Sequence, residues 1–114
     1  MKILIHGKNL KIPSVVEDYA RQKVLKLKKF IKEPATVEVV FEDIRGGLKA
    51  GRDKMVHITA ILPGEKQPIH VEELSDDFAI AIDGAEQRLR KVLERYHEKS
   101  KGLFRHVWRR ILRR

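Results

Sequence analysis

Arg88, Lys91, Arg95 and Lys99 repeat at intervals of three and four. At about 100° per residue such a run falls within one quadrant of a helix. No acidic residue interrupts it, so pairing along the helix does not explain it. Four cations in a line repel one another unless something anionic lies against them. Lys23, Lys26 and Lys29 form a similar line earlier in the chain, and Arg21, Lys28 and Lys32 a second one further round. The chemistry that such lines can do is non-covalent capture of phosphates, which positions a protein on a nucleic acid without reading its sequence. Gly84 extends the later line by one turn, where a missing side chain would admit a phosphate backbone.

Other chemistries fit less well. Glu38, Glu42 and Glu72 have no accompanying nucleophile or base, so no catalytic residue is assigned and the chain is read as a non-enzyme. The five histidines, His6, His57, His70, His97 and His106, show no pair at metal-ligand spacing with a carboxylate. His57 and His70 can face each other across paired strands, and no metal or cofactor is expected. The glycine-rich loop at residues 45–52 (RGGLKAGR) lacks the Lys-Ser/Thr ending of a nucleotide-binding loop and reads as a basic loop that adds a phosphate contact. Cysteine is absent, which excludes disulfides and cysteine zinc sites and fits a cytoplasmic location. No apolar run approaches the ~20 residues of a membrane span, and residues 1–7 are too brief for a signal peptide.

The elements that must carry these cations are legible from periodicity. Met1–Gly7 reads as a first strand. A helix begins at Ser14, with Ser14-x-x-Glu17 at capping-box spacing, and Val16, Ala20, Val24, Leu27 and Ile31 form its apolar stripe up to Glu33-Pro34. Residues 36–44 and 54–62 alternate as strands. In the first, Val37, Val39 and Phe41 share one side and Glu38, Val40 and Glu42 the other. Residues 67–74 form a last strand, placed at an edge by Pro68. Asp76 or Asp77 caps a second helix, whose stripe is Phe78, Ile82, Ala85, Leu89, Val92, Leu93 and Tyr96 and which stops near Lys99.

The order β-α-β-β-β-α predicts an α+β fold of two layers. A four-stranded sheet carries both helices on one face, as in double-stranded-RNA-binding domains. A right-handed crossover makes the first two strands parallel, and the rest form an antiparallel meander. Residues 1–99 constitute the domain and 100–114 a separate basic tail. Charge is segregated along this order. Residues 1–34 hold nine Lys/Arg against three Asp/Glu, residues 35–76 five against eight, and residues 77–114 eleven against five. The net charge of +9 is thus +6, −3 and +6. Positive charge collects in the helices, and the strands are acidic. That distribution points to a folded polyanion, RNA above all, with an acidic sheet face turned away from it.

The chain resembles the ribosome hibernation promoting factors, also called ribosome-associated inhibitors or sigma-54 modulation proteins. The resemblance rests on Asp77-x-x-x-Ala81-Ile82-Asp83-Gly84, followed by Leu89, Lys91 and Leu93, with Gly7, Asn9 and the Lys26-Leu27 pair adding to it. It covers residues 1–99 and includes the element order. It implies a translation inhibitor that binds the rRNA of the small ribosomal subunit in the cleft between head and body, and blocks the A and P sites where mRNA and tRNA would sit. By position it assigns RNA binding to Lys23, Lys26, Lys29, Arg88, Lys91 and Arg95, and the helical line adds Lys99. The chain departs from the family in its basic tail, in Pro13 and in a long 45–52 loop, and it stops before the second domain of the family's long form. Two alternatives come from other classes: a protein-interaction regulator of a transcription complex, and a membrane-surface protein tethered by its tail. Residues 102–114 (GLFRHVWRRILRR) have the spacing of a basic amphipathic helix. Such a tail can extend the second helix, contact RNA or ribosomal proteins, or lie on a membrane with Trp108 at the interface. So short a segment is expected to stay disordered until it binds something.

Overall fold

A computed structural model of the chain describes residues 1–44 and 53–112, with side chains described up to residue 98. The 45–52 loop therefore lies outside the described residues, as do the side chains of Lys99 and of the tail. The elements are β1 (Lys2–Lys8), α1 (Ser14–Leu25), a 3-10 turn at Lys28–Phe30, β2 (Thr36–Asp43), β3 (Lys54–Ile61), β4 (Ile69–Ser75) and α2 (Phe78–Leu112). The sheet order is β1-β2-β3-β4. β1 and β2 run parallel and the other pairs antiparallel. β4 is an edge strand, as Pro68 implied.

Alternation decides which way each strand faces. Val37, Val39, Phe41, Val56, Ile58 and Ala60 are fully buried under the helices. Ala20 and Val24 of the first helix and Leu27 just beyond it close the core on one side, and Ile82, Ala85, Leu89 and Leu93 of the second helix on the other. Phe41 and Phe78 meet edge to face at 5.1 Å, joining β2 to the start of α2. Both helices thus lie on one face of the sheet.

Three local expectations are revised. Ser14 makes no capping hydrogen bond. Pro13 is the N-cap, and its carbonyl accepts from the Val16 and Glu17 amides. The first helix ends at Leu25 rather than near Pro34. Beyond it the amides of Leu27, Phe30 and Ile31 bond three residues back, which tightens the chain into 3-10 turns. Those turns keep Leu27 and Ile31 in the core while the chain returns to β2. The second helix does not stop near Lys99 but runs unbroken to Leu112. Its N-terminus is capped as expected, with the Asp77 carboxylate accepting from the Ala79 amide at 2.7 Å.

Candidate nucleic-acid interface

The helices position the predicted cations, and their neighbours decide which remain free. Lys23 is not free. Its Nζ lies 3.2 Å from Asp83 Oδ1 on α2, and the Tyr19 hydroxyl donates to the same oxygen at 2.6 Å. Lys23 also stands over the Tyr19 ring at 5.6 Å. Asp83 is held below the usual carboxylate range, first by the Tyr19 hydrogen bond and then by Lys23, against the opposing effect of burial. The same contacts push the Lys23 ammonium and the Tyr19 phenol upward. This triad ties α1 to α2.

Arg88 is not free either. The acid missing from its line on the helix comes from β4, where Glu73 Oε2 meets Arg88 Nε at 2.5 Å. Gly84 explains the reach. A Cβ at that position would lie 2.7 Å from Glu73 Cγ and 2.9 Å from Cδ. Gly84 therefore admits a carboxylate side chain from the sheet edge, rather than the phosphate expected of it. Arg88 is still 64% exposed, and among the described residues its ion pair is made through Nε.

Lys26, Lys29, Lys91 and Arg95 are exposed and form no ion pair among the described residues. Lys29 stands over the Phe30 ring at 5.1 Å. Lys26 follows the end of α1 and Lys29 lies in the 3-10 turn, so the first lysine line bends instead of following one helical face. The Phe30 ring in turn meets His97 of α2 edge to face, which places this turn beside the middle of α2.

The two cationic lines share the helical layer but flank α2 on different sides. Asp83 faces α1 and Arg88 faces β4, about 140° apart round the helix. Lys91 lies nearest the outward crest. Sequence reasoning missed the groups that hold these cations, Asp83, Tyr19 and Glu73. It also missed Glu86, which is buried on the helical face and bonded to Arg90 at 2.5 Å.

The opposite face of the sheet is mixed rather than acidic. Lys8 pairs with Glu42 at 2.9 Å, and His6 lies 3.4 Å from Glu38. Lys8, assisted by His57, holds the Glu42 carboxyl below its ordinary range. His57 and His70 do face each other across β3 and β4, as their strand positions allowed, and Glu72, read from sequence only as a strand residue, joins them there. No helix among the described residues is long and apolar enough to cross a membrane.

Comparison with known proteins places this architecture. The family described as sigma 54 modulation protein / S30EA ribosomal protein matches residues 3–101. The chain belongs to that family. Among family relatives, the ribosome hibernation promotion factor of Lactococcus lactis subsp. cremoris is 24% identical over 96 residues, which are 84% of this chain and 49% of that protein. The chain thus spans about half the length of this curated relative. Among solved structures, the N-terminal domain of Thermus thermophilus Protein Y is 30% identical, with a TM-score of 0.66 over 84% of this chain and 99% of that one. A ribosomal subunit interface protein from Coxiella burnetii shares the fold at 21% identity, with a TM-score of 0.63 over 84% of this chain and 97% of its own. This S30EA-family chain therefore has the β-α-β-β-β-α domain of its structural relatives.

Proposed function

We propose that this chain is a ribosome hibernation factor that binds the small subunit in the cytoplasm and inhibits translation by occlusion. The helical layer faces the rRNA. Lys26, Lys29, Lys91 and Arg95 meet phosphates directly, and Lys23 and Arg88 add charge while remaining tied to Asp83 and Glu73. The domain's bulk then occupies the cleft where mRNA and the A- and P-site tRNAs would sit. The observation that carries this reading is the set of four exposed cations on the helical side of the sheet that form no ion pair among the described residues, in a chain whose family and curated relative are named for the ribosome.

No base-reading element is required, because phosphate contacts position the protein without specifying sequence. RNA read by shape accepts such a surface. If about six phosphates are neutralised, log K falls against log salt with a slope of roughly −4 to −5.

The test is pelleting of the full chain with purified small subunits over a salt series. Lys91→Glu/Arg95→Glu and Lys26→Glu/Lys29→Glu are each expected to weaken binding and flatten the slope while circular dichroism stays native. Bound protein should also compete with tRNA and mRNA. A folded variant with all four cations reversed that still pelleted normally would remove the assigned surface. Binding that ignored salt would favour a protein partner over rRNA.

A further inference from the structure

On the face of the sheet turned away from the helices, register places His57 opposite Glu72 and Thr59 opposite His70. His70 and Glu72 are two residues apart on β4 and share that face, so His57 is the near neighbour of both. The two imidazole rings stack with their centroids 5.7 Å apart. His57 Nδ1 lies 3.3 Å from Glu72 Oε2, and His70 Nε2 lies 3.6 Å from the same oxygen. One ligand atom from each of the three residues falls within 4.8 Å of the others.

We propose that His57 Nδ1, His70 Nε2 and Glu72 Oε2 form a zinc site that bridges β3 to the edge strand β4. Zinc bonds to imidazole nitrogen and carboxylate oxygen are about 2.0–2.2 Å, so the edges of a tetrahedral site are roughly 3.3–3.6 Å. The two separations from Glu72 match those edges. Two histidines and a carboxylate supply three ligands, and water takes the fourth position.

The surrounding groups orient the ligands as an ion requires. A metal-bound imidazole uses one nitrogen for the ion and donates its other N–H to an acceptor. His57 Nε2 lies 3.4 Å from Glu42 Oε1, and Glu42 is itself anchored by Lys8 at 2.9 Å. His70 Nδ1 lies 2.9 Å from Thr59 Oγ1. Both histidines thus have their outer nitrogen engaged and the inner one aimed at Glu72. His6 and Glu38 form a separate pair on the β1 side of this face. The competing arrangement is a metal-free network in which Glu72 accepts from both imidazoles.

Cobalt(II) is the probe, because its tetrahedral complexes absorb visibly. The full chain, stripped with chelator and dialysed, is titrated with Co2+ and then with Zn2+. One equivalent of Co2+ with tetrahedral ligand-field bands, displaced by Zn2+, is expected, together with a rise in Tm on adding Zn2+. His70→Ala should abolish the bands, and Glu42→Gln should weaken affinity about 10-fold or more. His97→Gln and His6→Gln should leave both unchanged. Circular dichroism confirms that each variant folds. No stoichiometric uptake by the parent chain overturns the proposal. So does uptake that persists in a folded His57→Ala/His70→Ala variant.

Discussion

Glu73 reaches from the core side of the edge strand β4, over the bare backbone of Gly84, to hold Arg88 Nε at 2.5 Å. A cation on the outer layer is thereby fastened to the sheet beneath it. The pair is partly solvated, with Arg88 64% and Glu73 26% exposed, so its worth to stability is about 0.5 kcal/mol. Its larger effect is on where the guanidinium points and how much of its charge is already answered.

Glu73→Gln therefore releases Arg88 at little cost to the fold. Tm should move by no more than a few degrees in thermal melts. Small-subunit pelleting at moderate salt should strengthen by about two- to five-fold, the equivalent of about 0.4–1 kcal/mol. Weaker binding would mean that the pair positions Arg88 for its phosphate.

Gly84→Ala sets two effects against each other. Alanine is the better helix former by about 1 kcal/mol. Its Cβ, however, would stand 2.7 Å from Glu73 Cγ, so the Glu73 side chain must swing off the helix. The expected result is near-neutral stability with the Arg88 pair broken, which a Gly84→Ala/Glu73→Gln cycle would show as strong non-additivity.

Tyr19→Phe keeps the ring under Lys23 but removes the hydrogen bond to Asp83. The loss should be about 1 kcal/mol, read as a fall of about 4 °C in Tm. Because Tyr19 and Asp83 join α1 to α2, the amides of α1 should exchange faster in the variant while those of β2 and β3 do not.

The same triad sets a pH dependence at both ends. Asp83 is depressed when folded, first through Tyr19 and then through Lys23. Its contribution is present above the unfolded aspartate value of about 3.9 and is lost as pH falls through the lower folded value. Lys23 and Tyr19 are raised. Their contribution is complete below about pH 10 and is lost as pH rises through the folded values. Tm should be flat near neutrality with both limbs falling, and Asp83→Asn should blunt both. A parent profile unchanged by that substitution would separate the triad from stability.

The fold was legible because its signals are local. Alternation in β2 and β3, the stripes on both helices and the Asp77 cap all operate within a few residues. What escaped was set by tertiary pairing. Glu73 and Arg88 lie 15 residues apart and meet only because β4 runs beneath α2. The approach of His57 to His70 was legible from the pairing of two alternating strands, but Glu72 joins them only through strand register, which periodicity alone does not fix. The early end of α1 escaped as well. Its apolar spacing continues through Leu27 and Ile31, and 3-10 turns satisfy that spacing almost as well as an α-helix does. In the second helix, the apolar spacing beyond residue 99 is that of a helix and no proline breaks it, so α2 runs on to Leu112.

Truncation after Lys101 tests whether residues 1–99 are a self-sufficient domain. Among the described residues the buried apolar core ends at Leu93, with Tyr96 packed against it and the Tyr96 hydroxyl bonded to the Pro63 carbonyl at 3.1 Å. All of these groups precede residue 102. The truncated chain should therefore keep its near-ultraviolet signature and lose less than about 1 kcal/mol, while helical ellipticity falls by the share of the missing residues. The removed segment holds five arginines and no acid. If they meet phosphate on the ribosome, the salt slope becomes shallower by about 0.7–0.9 for each phosphate that truncation leaves unneutralised. An unchanged slope with an unchanged fold would confine the binding surface to the helical layer of the domain.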